Sequence, residues 1–426
     1  MSRVRGRDLA GLAGLLQGAA AVLNTANALR PPAKQGRLTI PSFAAGALTT
    51  ELPVAAAAAT LLPQVALVAA GGARGRAGKV GLALSLAAAA GLAKVAAAAG
   101  PAEEILDRAL TQALGADYRG RVRHPAWPAP GAPLGPRPGV VRMMQVRGRY
   151  AHDADIPYGP AGRRNHLDVW RRPDLPAGAK APVLVQVHGG AWTMGSKQEQ
   201  GLPLLSHLAE RGWVCVSLNY RLGPRSTWPD MIVDVKRAVA WVKQHIAEYG
   251  GDPEFVALTG GSAGGHLTAL HALTAPDRRW QPGFEEIDTT VAAAVPFYGV
   301  YDWTNREDDA GLVWLLERRV IKQTLAEAPE VFRAASPLFA IRPDAPPFLV
   351  LHGTNDSLVS VKGARRFVRE LRATSTSAVA YAEFPGAQHA FDAFSSRRAQ
   401  ASAEAIERFL GVIYAAHRSE AFPQGA

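Results

Sequence analysis

Over the last two thirds of the chain, short valine-rich apolar runs alternate with stretches of helical periodicity. Six runs are almost continuously apolar, as parallel strands buried on both faces are, and they lie at 182–187, 213–220, 255–260, 291–299, 347–353 and 379–384. Two leading strands are predicted at 143–150 and 166–172. Helical patterns lie between the runs, at 198–211, 229–249, 265–274, 361–372 and 397–414. The alternation predicts an α/β fold with a mostly parallel, doubly wound sheet.

The first third of the chain has a different pattern, with three long apolar stretches that carry almost no charge. Residues 9–29 and 52–73 are uncharged, and 80–100 are interrupted only by Lys94. Each stretch has the roughly 20 residues that a membrane-spanning helix needs. We therefore predict a helical membrane module over residues 1–119. Two alternatives stay open: a cleaved signal peptide for the first stretch, or a buried Ala-rich helical hairpin in a soluble protein.

Charge is as unevenly distributed as hydrophobicity. Residues 1–150 contain 18 basic and 6 acidic side chains, whereas residues 151–426 contain 29 and 30. The basic clusters flank the apolar stretches, at 3–7, 30–37 and 74–79. This arrangement favours contact with membrane lipid over nucleic-acid binding, and it predicts a location at the cell membrane. Two or three spans satisfy the positive-inside rule equally, and they place the C-terminal part on opposite sides.

A proline- and glycine-rich segment separates the two parts. Residues 120–139 contain six prolines and four glycines, a composition typical of a semi-rigid spacer. We predict a linker at 120–141, an α/β domain at 142–415 with a cap insertion near 301–341, and a tail at 416–426. The single cysteine, Cys215, lies in an apolar run, which predicts a buried thiol and excludes an internal disulfide or a cysteine zinc cluster.

The residues that follow the strands are the candidates for chemistry, because ligands of parallel sheets bind beyond the carboxyl ends of the strands. The run at 255–260 is followed by Ser262, the run at 347–353 by Asp356, and the run at 379–384 by His389. A serine, a carboxyl and an imidazole are therefore predicted at one edge of the sheet, in the order Ser, Asp, His.

Residues 260–264 read GGSAG and fit the G-x-S-x-G pattern of a nucleophile mounted on a strand–turn–helix. A phosphate-binding loop is the competing interpretation. It requires a lysine and then a serine or threonine where this chain has His266 and Leu267. The pattern therefore favours Ser262 as a nucleophile.

These motifs resemble those of α/β-hydrolase esterases and lipases, in particular the hormone-sensitive-lipase-like and feruloyl-esterase-like carboxylesterases. The resemblance covers about 142–415 and rests on HGGAW, NYRLGP, GGSAGGHL, HGTNDSLV and GAQHAF, at 188–192, 219–224, 260–267, 352–359 and 386–391. The apolar N-terminal stretches together with residues 151–170 further resemble actinobacterial membrane-associated lipases and esterases.

The resemblance implies a role for each matching residue. Ser262 corresponds to the nucleophile, Asp356 to the orienting acid and His389 to the general base. The oxyanion-hole positions correspond to Gly189, Gly190 and Ala263. Many lipase-like relatives have a third glycine where this chain has Ala191, which leaves the substrate open but not the mechanism.

Other residues compete for the same roles. The imidazoles that compete with His389 are His188, His266, His271 and His352. Asp302 follows another strand end and is expected to order the start of the cap, and Asp234 is expected to make a structural ion pair. The cap aromatics Trp303, Trp314 and Phe332 fit the core and the lining of an acyl pocket equally well.

The predicted activity is hydrolysis of a carboxylic ester, with a small-molecule or lipid acyl ester as substrate and no metal or organic cofactor. The same triad also serves amidases or formamidases, peptidases and acyltransferases, so these remain alternatives. A non-catalytic membrane scaffold is the hypothesis from a different class, and the complete triad argues against it.

Overall fold

The computed structural model describes residues 2–31, 39–124, 150–176 and 178–421. The helices are α1 (Ser2–Leu29), α2 (Thr39–Glu51), α3 (Pro53–Ala69), α4 (Arg76–Ala98), α5 (Ala102–Leu114), α6 (Tyr118–Arg121), α7 (Leu202–Glu210), α8 (Asp230–His245), α9 (Ala263–Thr274), α10 (Ala310–Leu315), α11 (Pro329–Ala334), α12 (Val361–Thr374) and α13 (Arg397–Ala421). The strands are β1 (Ala151–Pro157), β2 (His166–Arg171), β3 (Ala181–Val187), β4 (Val214–Leu218), β5 (Gly251–Gly261), β6 (Ala293–Phe297), β7 (Phe348–Gly353) and β8 (Val379–Phe384).

The eight strands form one sheet in the order β1-β2-β4-β3-β5-β6-β7-β8. The six strands from β3 to β8 pair in parallel, while β2 runs antiparallel to β4 and to β1. The predicted mostly parallel sheet is confirmed. The strand predicted at 143–150 lies outside the described residues except for Tyr150, and β1 is an additional strand that the apolar pattern did not indicate.

Both faces of the sheet are covered, which explains why its strands are continuously apolar. On β3, Val183 and Val185 face one hydrophobic cluster, whereas Leu184 between them faces the other. All three side chains are fully buried. Alternate residues of a strand point to opposite faces, so a strand between two helical layers needs apolar residues at nearly every position.

The N-terminal helices pack closely through glycines. A Cβ on Gly18 of α1 would lie 2.5 Å from the carbonyl oxygen of Gly81 of α4, so the two backbones are in direct contact. The outer surface of these helices is apolar: among the described residues, 13 of the 15 exposed large hydrophobic side chains lie between Leu9 and Leu86. A soluble surface seldom has so dense a set.

By length and composition, two helical stretches could cross a membrane, Asp8–Leu29 and Arg76–Leu114. The predicted stretch 52–73 does not pass this test by itself. It corresponds to α3, which is bent by 97° from α2, and only the pair together passes the same test. The helix α2 itself was not predicted.

The last helices before the linker pack with the α/β layers. Leu106 and Leu110 of α5 are fully buried in one cluster with Phe384 of β8 and Phe409 of α13. Of the predicted linker at 120–141, residues 125–141 lie outside the described residues. At the other end, α13 continues to Ala421, into the segment predicted as a tail.

Candidate active site

Ser262 occupies the turn between β5 and α9. Its φ and ψ angles are 59° and −120°, a conformation that residues with side chains rarely adopt. Close contact with β3 is possible because glycines flank the serine: a Cβ on Gly264 would lie 2.1 Å from the carbonyl oxygen of Val187. The N–H of Ser262 donates to the carbonyl oxygen of Phe297, at 3.0 Å. The structure therefore has the strained strand–turn–helix that the sequence pattern predicts.

The predicted acid and base are in contact. Nδ1 of His389 lies 2.7 Å from Oδ2 of Asp356, and Nε2 of His352 lies 3.3 Å from the same oxygen. The other carboxylate oxygen accepts the backbone N–H groups of Leu358 and Val359, at 2.9 and 2.8 Å. Burial raises the pKa of Asp356, but the charge of His389 and the hydrogen bonds from His352 and His389 outweigh it, so the pKa falls well below its usual value.

Tyr298 lies beside both the serine turn and the imidazole. A Cβ on Gly261 would lie 2.6 Å from Oη of Tyr298, and the ring centroids of Tyr298 and His389 are 4.4 Å apart. Among the described residues, no hydrogen bond joins the hydroxyl of Ser262 to His389. The three predicted groups thus share one edge of the sheet, around Tyr298.

The hydroxyl of Tyr298 donates to Asp392; the tyrosine is buried, and Asp392 is half-buried. Burial raises the pKa of Tyr298 well above its ordinary value, and the neighbouring Asp392 raises it further. Burial also raises the pKa of Asp392. Tyr298 therefore stays neutral and keeps its proton for the hydrogen bond.

The loop after β3 lies against the serine. A Cβ on Gly189 would lie 3.2 Å from Cβ of Ser262. The N–H of Gly189 is already used, because it donates to Oε1 of Gln200 at 2.7 Å. No hydrogen bond in the described chain uses the N–H of Gly190, and Ala263 lies in the first turn of α9, where N–H groups have no partner within the helix. Of the predicted oxyanion-hole amides, those of Gly190 and Ala263 remain available.

The competing histidines, His352 among them, are buried, and each has a ring nitrogen close to a backbone carbonyl oxygen. Nδ1 of His188 lies 2.7 Å from the carbonyl oxygen of Gly189, and Nε2 of His271 lies 2.8 Å from that of Thr289. His266 accepts the indole N–H of Trp192 at 3.1 Å. Burial lowers the pKa of His188 to about 4 and those of His266 and His271 to about 3. These imidazoles are neutral parts of the core.

The remaining competitors also have structural contacts. Oδ1 of Asp302 accepts the N–H of Thr304 at 2.7 Å, at the start of the cap as predicted. Asp234 makes the expected ion pair, with Arg221 at 2.8 Å. Cys215 is buried and its pKa is raised by burial, as expected for a core thiol.

The cap aromatics divide between core and surface. Trp303 and Phe332 are fully buried, and the ring of Trp303 stacks on His266 at 4.5 Å. Trp314 is 57% exposed. Trp303 and Phe332 are therefore core residues. For these two side chains the structure favours the core over the lining of an acyl pocket.

Four residues of the site have no signal in the sequence: Phe43, Gln200, Tyr298 and Asp392. Phe43, Tyr298 and Asp392 contact partners that are distant in the chain, and Gln200 bonds to Gly189, 11 residues away. The ring of Phe43, for example, lies 5.8 Å from that of His389, in an edge-to-face arrangement. No group of three or more His, Cys, Asp or Glu side chains in the described part of the chain is arranged to hold a metal ion.

A family model described as BD-FAE matches residues 167–371. Over 405 residues the chain is 50% identical to a probable carboxylic ester hydrolase, LipM, of Mycobacterium tuberculosis, and the match covers 94% of this chain and 93% of that protein. It is also 50% identical over 322 residues to esterase LipQ of the same organism, with 74% and 76% covered.

A solved structure, a truncated carbohydrate esterase from gut microbiota, has the same fold. It matches with a TM-score of 0.50 and 22% identity, and the match covers 57% of this chain and 90% of that one. At this identity the likeness concerns the fold alone.

Proposed function

Because this chain belongs to the α/β-hydrolase esterases and lipases and is a carboxylesterase, we propose that it cleaves its ester through an acyl-enzyme on Ser262. One observation carries the proposal: the strained turn of Ser262 lies at the sheet edge where His389 and Asp356 are hydrogen-bonded. A serine hydroxyl is a weak nucleophile until a neighbouring imidazole removes its proton.

In the first step, Oγ of Ser262 forms a bond to the carbonyl carbon of the ester. Its proton passes to Nε2 of His389, because Nδ1 is held by Asp356 at 2.7 Å. The carboxylate stabilises the imidazolium, which then protonates the leaving alcohol as the carbon–oxygen bond breaks. A water molecule, deprotonated by His389, hydrolyses the acyl-enzyme and restores the hydroxyl of Ser262.

Negative charge develops on the carbonyl oxygen in both steps. We assign its stabilisation to the N–H groups of Gly190 and Ala263, since that of Gly189 is bonded to Gln200. Removal of one such donor typically lowers the rate about 10²–10³-fold. Gly189 contributes by its lack of a side chain, which lets the loop approach Ser262.

We also propose that the N-terminal helices hold the enzyme at the cell membrane. Two stretches are long and apolar enough to span, and the large exposed apolar side chains are concentrated on these helices. In water such a surface would be costly, at about 25 cal/mol for each Å² of apolar area. Membrane lipid is thus the proposed partner of this surface, and the substrate is a small-molecule or lipid acyl ester.

The test combines labelling with a substrate panel. A fluorophosphonate probe should attach to Ser262 of the full-length protein and should not attach to the Ser262→Ala variant, which should lose hydrolysis of p-nitrophenyl esters. Labelling at another residue, or full activity of Ser262→Ala, would refute the proposed nucleophile. An anilide and a formamide in the same panel measure amidase and formamidase activity; turnover of either in preference to the esters would favour that alternative use of the triad.

A further inference from the structure

Helix α2 separates the proposed active site from the outside of the molecule. Its residue Phe43 contacts the imidazole of His389, with ring centroids 5.8 Å apart. Ser42, Gly46 and Thr50 are buried on the inner side of α2, whereas Ile40 and Leu48 are 72% and 50% exposed on its outer side. One helix thus contacts the predicted base with one face and presents an apolar surface with the other.

A buried ion pair holds the end of α2 in place. Glu51 lies 2.8 Å from Nη1 of Arg398, and both side chains are 1% exposed. The hydroxyl of Ser396 donates to the same carboxylate at 2.8 Å. Nη2 of Arg398 donates to the carbonyl oxygen of Pro385, in the loop that carries His389. The position of α2 is therefore coupled to the loop of the base.

The loop of the acid rests on the N-terminal helices as well. Nδ2 of Asn355, the neighbour of Asp356, donates to the carbonyl oxygen of Leu29 at 3.0 Å, at the C-terminus of α1. A Cβ on Gly46 would lie 3.5 Å from Nε2 of Gln388, the residue before His389. Both loops that bear the predicted acid–base pair thus touch α1 or α2, so these helices form part of the site.

The apolar surface of α2 indicates which kind of substrate can reach the proposed active site. Its only charged residue is Glu51, which is buried in the ion pair. Exposed apolar side chains also lie on α3, at Val54, Leu62 and Val65. A substrate that approaches along this surface meets hydrocarbon, which favours an alkyl or acyl chain over a sugar or a peptide.

We propose that α2 forms one wall of the ester-binding site, with Phe43 in contact with the substrate. The substrate is a lipid ester resident in the membrane, and it reaches Ser262 laterally along α2. This proposal rests on the function proposed above, because it assumes that Ser262 and His389 perform the hydrolysis.

A photoreactive probe tests the wall directly. An alkyl fluorophosphonate with a twelve-carbon chain and a diazirine at its middle is bound to Ser262 of the full-length protein in lipid nanodiscs. After irradiation, peptide mapping should find cross-links within residues 39–51. Cross-links confined to the cap at 301–341, or to solvent, overturn the proposal and leave the proposed nucleophile intact. Failure of the probe to label Ser262 overturns the proposed function itself.

A kinetic test uses Phe43→Ala with Phe43→Leu as the conservative variant. Phe43→Ala should lower kcat/KM for a long-chain ester in vesicles about 10-fold or more relative to p-nitrophenyl acetate, the size of effect that a lost apolar contact has on selectivity. Phe43→Leu should restore most of the selectivity. Ile413→Ala, at a partly buried apolar position of α13, is the matched control and should leave the ratio unchanged. Equal losses on both substrates would indicate a purely structural role and overturn the proposal.

Discussion

The ion pair between Glu51 and Arg398 provides the sharpest test of how the N-terminal helices are attached. The substitution Arg398→Met keeps most of the volume of the side chain and removes its charge. The carboxylate of Glu51 then stays buried but loses its bond to Arg398, and the hydroxyl of Ser396 is the side-chain hydrogen-bond donor that it keeps. It also frees the carbonyl oxygen of Pro385, to which the guanidinium donates at 2.9 Å.

The expected loss follows from burial. Both partners are 1% exposed, and breaking a buried pair on one side typically costs about 3–5 kcal/mol. Since about 1.4 kcal/mol corresponds to a factor of ten, the folded population should fall by roughly 10²–10⁴-fold relative to the unfolded one. The exposed pair Arg119–Asp107, at 59% and 36%, is the matched control. Arg119→Met should cost less than about 1 kcal/mol.

The assay is urea unfolding of the full-length protein in detergent micelles, followed by tryptophan fluorescence. The double variant Glu51→Leu/Arg398→Met should recover most of the loss, because an apolar pair leaves no unpaired charge in the interior. The reasoning is refuted if Arg398→Met and Arg119→Met are equally stable, or if the double variant loses as much as the two single variants together.

Three further outcomes follow from the site. Asp356→Asn should lower kcat about 10⁴-fold. Because the pKa of Asp356 is depressed in the folded state, its carboxylate stabilises the fold above about pH 4, and this contribution is lost as the pH falls further. In chemical denaturation, the difference in unfolding free energy between parent and variant should therefore shrink from pH 5 to pH 2. Gln200→Leu leaves the N–H of Gly189 without its acceptor and should lower the unfolding free energy by about 1–3 kcal/mol. The fall in kcat should exceed any rise in KM. Unchanged kinetics would contradict a role of Gln200 in holding the loop after β3. Gly264→Ala should abolish phosphonate labelling, because the new Cβ would lie 2.1 Å from a carbonyl oxygen of β3. The control is Gly363→Ala in α12, where the new Cβ would lie in open space. This variant should be labelled normally and should gain up to about 1 kcal/mol in unfolding free energy.

The sequence predicted the sheet and the three catalytic candidates because their signals are local. A strand covered on both faces needs an unbroken apolar run, as at 182–187, and a nucleophile turn needs small residues around Ser262. The rule that ligands bind at the carboxyl ends of parallel strands then brings Asp356 and His389 to the same edge. The roles of these three residues stay predictions until the labelling and kinetic tests are made.

The division of the N-terminal third was harder to predict. The apolar stretch predicted at 52–73 begins where α2 ends, so the pattern marked the position of the break but not the helix before it. The 97° break between α2 and α3 falls at Leu52, just before Pro53. Hydrophobicity alone placed 52–73 as one segment and left α2, with its threonines and Ser42, out of the prediction.

By itself, the sequence indicated seven of the eight strands of the described sheet, the turn that carries Ser262, and the apolar character of the N-terminal helices. Only the tertiary structure decided that Gln200 accepts the N–H of Gly189, that Tyr298 lies beside both the serine turn and His389, and that the ring of Phe43 meets the imidazole edge to face. The physical reason is the separation along the chain between the residues that interact. Periodicity and turn chemistry act over a few neighbouring residues, whereas these contacts join segments up to some 350 residues apart, as Glu51 and Arg398 do. Their geometry exists only after the helices have packed against the sheet.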